Sequence, residues 1–412
     1  MSTVTVPVLT DATFAEKMDI QNALIGMLVD GQITQSESLA QIRAVVAQGL
    51  APTVFSIGDR ITVPWSDGNG NEYAVPLDVV HFGNVELEDG ETVPGMYLQW
   101  HYATPFGMPF DANEALYYCE TALPAGVYQI TQGNAWGSKA LSANGRVWTF
   151  RTTIEIPAGG HICITTGAVD NAESAIRFMT YASGASTTPL ETITPSYGTT
   201  GSGTSLGTWS SSTKFGTSGL NNMQRSNYGY NRWSQSCLRQ WLNSAAAKGA
   251  WWTSQNVYDR IPTECASYQG FMAGFSEEFR RIIGKVKVRT ALNTVSDSDI
   301  IAASGALEET FDYWFPAALE QEHVKAQIAG EGEVWEYWKR TRGSAEPEAT
   351  HPYVNPMAIR YAINAKTSPQ YCRLRSAGRG DAYGAWGVYA AGTVGSYYAT
   401  AANRCAPACV IC

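Results

Sequence analysis

Charge is scarce in this chain: Asp, Glu, Lys and Arg make up 16% of its 412 residues. The basic side is the thinner, with 28 Lys and Arg against 37 Asp and Glu and a formal net charge of −9. No basic stripe is available to neutralise a phosphate backbone, which excludes a general nucleic-acid binder. Long apolar runs are missing as well. None reaches the roughly 18 to 20 residues of a membrane helix, so membrane insertion is not expected. The opening MSTVTVPVLTDATFAEKM lacks a basic stretch followed by an apolar one, so no secretory signal is expected. The five histidines, His81, His101, His161, His323 and His351, show neither HExxH nor any paired-ligand spacing. Eight cysteines are too few for a disulfide scaffold of this length. Cys405, Cys409 and Cys412 have the spacing C-x3-C-x2-C, part of a zinc set with no nearby His; the alternative is a final buried strand carrying Cys405 and Cys409 on one face. No cofactor and no metal are expected.

What is abundant is glycine and large aromatics, with 39 Gly, 21 Tyr and 13 Trp. The length fits two or three domains, and three stretches stand out in an α+β chain. Residues 1–50 form an N-terminal helical region, with helices over 11–29 and 34–48. Thr13 with Glu16 and Thr34 with Glu37 fit capping boxes, and Gly49 followed by Pro52 supplies a stop. This pair packs on its own domain or serves oligomerisation or docking. Residues 51–195 are β-rich: strands are expected over 60–63, 72–75, 96–100, 127–131, 147–156 and 161–165, with a turn at Asp67-Gly-Asn-Gly70 and one short helix over 111–119. A Thr/Ser/Gly-rich stretch, 194–208, reads as a linker or surface loop. In 196–412, Cys237, Leu238, Trp241 and Leu242 share a helical face, a second helix covers 276–283 with Gly284 as a left-handed cap, and 285–290 alternates as a strand.

Most chemical motifs dissolve on inspection. Gly203-Thr-Ser-Leu-Gly207 matches a hydrolase elbow but lacks the strand and helix that such an elbow joins. Asp67-x-Asn69-x-Asn71 starts like a calcium loop, yet its sixth position is Glu72 rather than glycine. Glu277-Glu278 and Glu308-Glu309 read as solvated helix faces. Arg379-Gly380-Asp381 spells an adhesion tripeptide that three residues cannot carry alone.

The tract 378–403, GRGDAYGAWGVYAAGTVGSYYATAAN, is different. It consists almost wholly of Gly, Ala, Tyr, Ser and Thr, the composition of binding loops in which Tyr supplies contact area at low entropic cost. With Tyr371-Cys-Arg-Leu-Arg-Ser376 before it and Asn403-Arg-Cys-Ala-Pro-Ala-Cys-Val-Ile411 closing it, the segment resembles the variable region of proteins diversified by diversity-generating retroelements. Tyr230-Asn-Arg-Trp-Ser-Gln-Ser-Cys-Leu-Arg-Gln-Trp-Leu-Asn243 and Phe311-Asp-Tyr-Trp-Phe-Pro316 resemble the matching framework of gut-phage and bacterial members. In that family adenine-directed change excludes Lys, Glu, Gln, Met and Trp from varied positions. Of these the tract contains only Trp386.

The resemblance implies a C-terminal C-type lectin-like fold over 196–412, with a variable region at about 376–403. It also implies a receptor-binding or adhesin function: attachment of a phage tail tip or fibre, or alternatively of a bacterial surface, to a cell-surface protein or glycan. The protein would be a homotrimer among other virion tail proteins and not an enzyme. The positions expected to be variable and exposed are Gly378, Asp381, Tyr383, Gly384, Gly387, Tyr389, Thr393, Gly395, Ser396, Tyr397 and Tyr398; Trp386, Val388 and Val394 are assigned to the core. Calcium-dependent sugar binding is not implied, because the nearest approach to the lectin motifs is Glu346-Pro347-Glu348. The alternatives are a structural virion or surface module without diversified binding, and an enzyme resembling the formylglycine-generating type, whose chemistry needs reactive thiols.

Overall fold

The computed structural model describes residues 35–133, 145–165, 175–210, 219–293, 306–323, 330–341 and 359–412. The expected helix over 11–29 lies outside these. Its neighbour is seen as Gln35–Ala47, with Leu39 and Val46 buried. It stops at Gly49, whose φ of 72° is the left-handed conformation that ends helices.

The fold is α+β and strand-rich. Arg60–Ser66, Glu72–Glu86 and Thr92–Trp100 form an antiparallel meander. Its first turn is built by Asp67, whose carboxylate accepts from Asn69 N at 2.7 Å and from Asn71 Nδ2 at 2.7 Å. The loop itself therefore uses the carboxylate that a calcium loop would offer. Beside Thr92–Trp100 lies the C-terminal strand Pro407–Ile411, antiparallel, and then Phe315–Pro316. Strands from near both ends of the chain thus share one sheet. Trp65 and Trp100, on its own strands, form one buried aromatic group with Phe271, Phe275 and Trp314, in which Phe275 and Trp314 stack at 5.0 Å.

Two four-stranded sheets enclose a second core. One runs Ser196–Gly198, Val147–Thr152, Gly126–Gln132, Thr204–Trp209; the other runs Glu191–Ile193, Phe178–Tyr181, His161–Ile164, Tyr117–Tyr118. Trp148 stacks on Phe178 at 5.4 Å between them, and Trp209 is fully buried.

Five local expectations are corrected. The expected linker 194–208 contributes two strands, because Leu206 and Trp209 give that polar stretch an apolar face to bury. Residues 111–119 are extended rather than helical: Glu114 N donates to Arg225 O and Ala115 N to Tyr258 O, so tertiary partners replace the helical ones. Gly284 is not a left-handed cap. It lies where an added Cβ would stand 2.1 Å from Cys412 Sγ. Glu308 is buried in the strand Leu307–Asp312 and bonded to Arg232 and Ser234 N. Cys405 and Cys409 do not share a strand face, since Cys405 closes Ala402–Cys405 in one sheet and Cys409 lies in Pro407–Ile411 of another. Among the described residues no helix is long and apolar enough to cross a membrane.

Candidate ligand-binding face

A fourth sheet, five-stranded, holds the Gly/Tyr tract in the order Val394–Tyr398, Gly384–Val388, Cys372–Ala377, Ala402–Cys405, Met108–Pro109. Local chemistry shapes its turns. Gly392, at φ 82°, lets the hairpin close with Tyr389 N donating to Thr393 O at 2.7 Å. Asp381 Oδ1 accepts from Tyr383 N at 3.0 Å and from Gly384 N, an Asx turn that leads into the second strand. The carboxylate of Arg379-Gly380-Asp381 is thus held by its own loop.

Two buried side chains fix this backbone from beneath. Asn231 Nδ2 reaches Gly378 O at 3.0 Å, Asp381 O at 3.0 Å and Gly384 O at 2.8 Å, while its amide donates to Ala382 O at 2.9 Å. Arg373 donates to Ala385 O at 2.8 Å, Tyr397 O at 3.1 Å, Tyr398 O at 2.8 Å and Ala401 O at 3.3 Å. Burial pulls the pKa of this guanidinium down to about 10, against small opposing effects of Tyr389 and Tyr397. Side chain to carbonyl bonds with a charged donor are among the stronger kind, so the exposed strand rests on a rigid support.

On that support the tyrosines form a continuous chain of ring contacts. Tyr389 meets Tyr371 at 4.9 Å, Tyr371 meets Tyr397 at 6.0 Å, and Tyr397 meets Tyr398 at 5.6 Å. Tyr398 contacts Tyr383 at 5.5 Å and stacks on Tyr228 at 4.1 Å, 7° from parallel. Tyr371 is 44% exposed, Tyr397 44% and Tyr398 38%. Such rings are apolar faces with a polar tip, fitted to contact another molecule.

The nominated positions separate. Ser396, Tyr397 and Tyr398 are exposed, and Asp381, Tyr383, Tyr389, Thr393 and Gly395 are half-buried. Gly378, Gly384 and Gly387 are buried, contrary to expectation. A Cβ at Gly378 would stand 2.9 Å from Gly384 O, and one at Gly387 2.9 Å from Cys372 O, so backbone packing requires glycine there. Gly395 lies under the Tyr389 ring, 2.5 Å from its hydroxyl on the same measure. Of the core assignments, Val388 and Val394 are buried, whereas Trp386 is half-buried.

Sequence reasoning missed four contributors. Tyr371 was legible as an aromatic beside the tract. Tyr228, Asn231 and Arg373 act across the fold, Tyr228 being 170 residues from its stacking partner, and no local pattern marks them.

Behind the face lies a second polar cluster. Asp111, Glu114 and Asp259 are buried with carboxylate oxygens within 4.8 Å of one another. Asp111 accepts from Tyr230 N at 3.0 Å and Cys237 Sγ at 3.2 Å; Glu114 accepts from Arg225 Nε at 2.7 Å; Asp259 accepts from Asn256 N at 3.1 Å. Burial, then the charge of Glu114, pushes Asp259 up to about 7, and burial with Asp259 pushes Asp111 well above the carboxylate range. Three carboxylates suit a hard cation in principle, but these oxygens are engaged by protein donors. They brace residues 111–118, the helix Met223–Tyr228 and the loop 255–259.

A family model described as a domain of unknown function (DUF6273) matches residues 212–412, a stretch that holds Tyr228, Asn231, Arg373 and the whole tyrosine chain. No curated protein and no solved structure matched.

Proposed function

We propose that the chain is a ligand-binding protein that attaches to a cell surface through its tyrosine face, on the C-type lectin-like scaffold of a retroelement-diversified variable protein. The observation that carries this reading is the unbroken contact chain of six tyrosines, three of them more than a third exposed, on a backbone held by Asn231 and Arg373. Exposed aromatics on rigid backbone are the residues that dominate interface energy. The varied set, on this reading, is Asp381, Tyr383, Tyr389, Thr393, Ser396, Tyr397 and Tyr398, with the buried Gly378, Gly384 and Gly387 and the half-buried Gly395 under the Tyr389 ring as framework. Presentation as a homotrimer on a phage tail tip or fibre would add avidity to single weak sites.

The enzyme alternative is disfavoured by its own requirement. Cys405 and Cys409 are buried, and burial pushes both thiols well above their usual range, the reverse of an activated nucleophile.

The test is a quadruple variant, Tyr383, Tyr389, Tyr397 and Tyr398 each to Ala, assayed on whole bacterial cells beside the parent protein. The expected result is loss of cell binding with the fold retained by circular dichroism. Binding that survives in the folded variant would sink the proposal.

A further inference from the structure

The charge of the chain is unevenly placed. Residues 359–412 hold six Lys and Arg side chains (Arg360, Lys366, Arg373, Arg375, Arg379 and Arg404) and one acid, Asp381, a balance of +5 within a chain of −9. Two of these guanidiniums, those of Arg373 and Arg404, lie at or beside the tyrosine face and are bonded to neutral acceptors. Arg373 is buried directly beneath Tyr397 and Tyr398 and spends its donors on backbone carbonyls. Its electrostatic neighbours are the hydroxyls of Tyr389 and Tyr397 and the thiols of Cys405 and Cys372. Opposite Cys372 in the neighbouring strand, Arg404 donates to Thr104 O at 3.0 Å, Pro105 O at 2.9 Å and Gln370 Oε1 at 2.7 Å, again to no carboxylate. The single acid, Asp381, is half-buried, with Oδ1 held by two amides of its own loop. A guanidinium in a low-dielectric setting, bonded only to neutral acceptors, projects its field to the nearest surface, here the tyrosine rings.

We propose that the tyrosine face docks an acidic patch of a partner protein, the rings supplying contact area and the guanidiniums beneath them selecting for negative charge. This rests on the reading of the face as a binding site and adds the chemistry of its partner. Electrostatic complementarity of this kind sets partner choice and encounter rate more than raw affinity.

A display library of random peptides panned against the full chain tests both layers separately. Enriched peptides are expected to be net negative, to lose binding to the quadruple tyrosine variant, and to weaken at least about tenfold between roughly 0.05 and 0.5 M salt. Peptides that need the tyrosines but are neutral or basic on average would overturn the charge inference and leave the tyrosine reading standing. Peptides retained by the quadruple variant would overturn the tyrosine reading itself. A heparin arm separates the other anionic source: heparin bound at the tyrosines more tightly than the acidic peptides would assign the face to an anionic polysaccharide and overturn the protein partner.

Discussion

Two aromatic groups of this molecule have the same contact geometry and opposite surroundings. In the central core Trp65, Trp100, Phe271, Phe275 and Trp314 meet at centroid distances such as 5.0 Å for Phe275–Trp314 and 5.4 Å for Trp65–Phe271. On the tyrosine face the contacts run from 4.1 to 6.0 Å. The core rings are buried in one cluster with Val, Leu and Ile side chains, while Tyr371, Tyr397 and Tyr398 keep more than a third of their surface. Ring-to-ring distance therefore does not separate stability from recognition. What separates them is the second side of each ring: packed in one case, presented in the other.

That contrast can be broken by mutation. The largest expected effect is Trp314→Ala, which should cost about 3 to 5 kcal/mol in a fully packed site and leave little folded protein to bind anything. Next is Arg373→Leu, which removes a charged donor from four carbonyls under the face. A loss of about 2 to 3 kcal/mol by denaturant titration is expected, together with loss of binding. Tyr397→Ala should do the opposite of Trp314→Ala, removing about 2 kcal/mol or more of binding energy while the unfolding free energy moves by no more than about 0.5 kcal/mol. If it unfolds the protein instead, the two groups are one and the comparison fails.

The pH dependence follows from the buried carboxylates behind the face. The folded pKa of Asp259 is raised to about 7, and that of Asp111 is raised well above the usual carboxylate range. Their contribution is fully present below the ordinary carboxylate range and is lost as pH rises through the folded values. Thermal midpoints should thus fall between about pH 4.5 and pH 7, and Asp111→Asn should flatten that fall by removing one of the two raised groups. A midpoint that climbs over the same interval would show that these acids are ionised in the fold. The smallest effect is expected at Ser396→Ala, exposed on the edge strand, which should change stability by no more than about 0.5 kcal/mol. Gly387→Ala, next to a backbone carbonyl, should be plainly destabilising in the same assay.

Much of the local structure was legible. The helix ending at Gly49, the Asp67 hairpin, the buried Cys237–Leu242 face and the strand Val286–Ala291 follow from periodicity, capping and turn chemistry, all short-range effects. The tract 378–403 declared itself by composition, and the exposure of Tyr397 and Tyr398 agrees with it. The same composition misled at Gly378, Gly384 and Gly387, because glycine serves equally an open loop and a strand pressed against a neighbour's backbone. It misled again at 194–208, where Ser and Thr look alike in a linker and on the open side of a strand.

The sequence by itself determined the inventory: an α+β chain with few charges, apolar stripes at strand and helix spacing, and one Tyr/Gly-rich tract. Only the tertiary structure decided how these parts meet. It set Pro407–Ile411 beside Thr92–Trp100, brought Tyr228 under Tyr398, and aimed Asn231 and Arg373 at the backbone of the face. The physical reason is range. Helix caps and turns are settled by residues a few positions apart, whereas a buried amide or guanidinium satisfies whichever carbonyls the packed core brings to it.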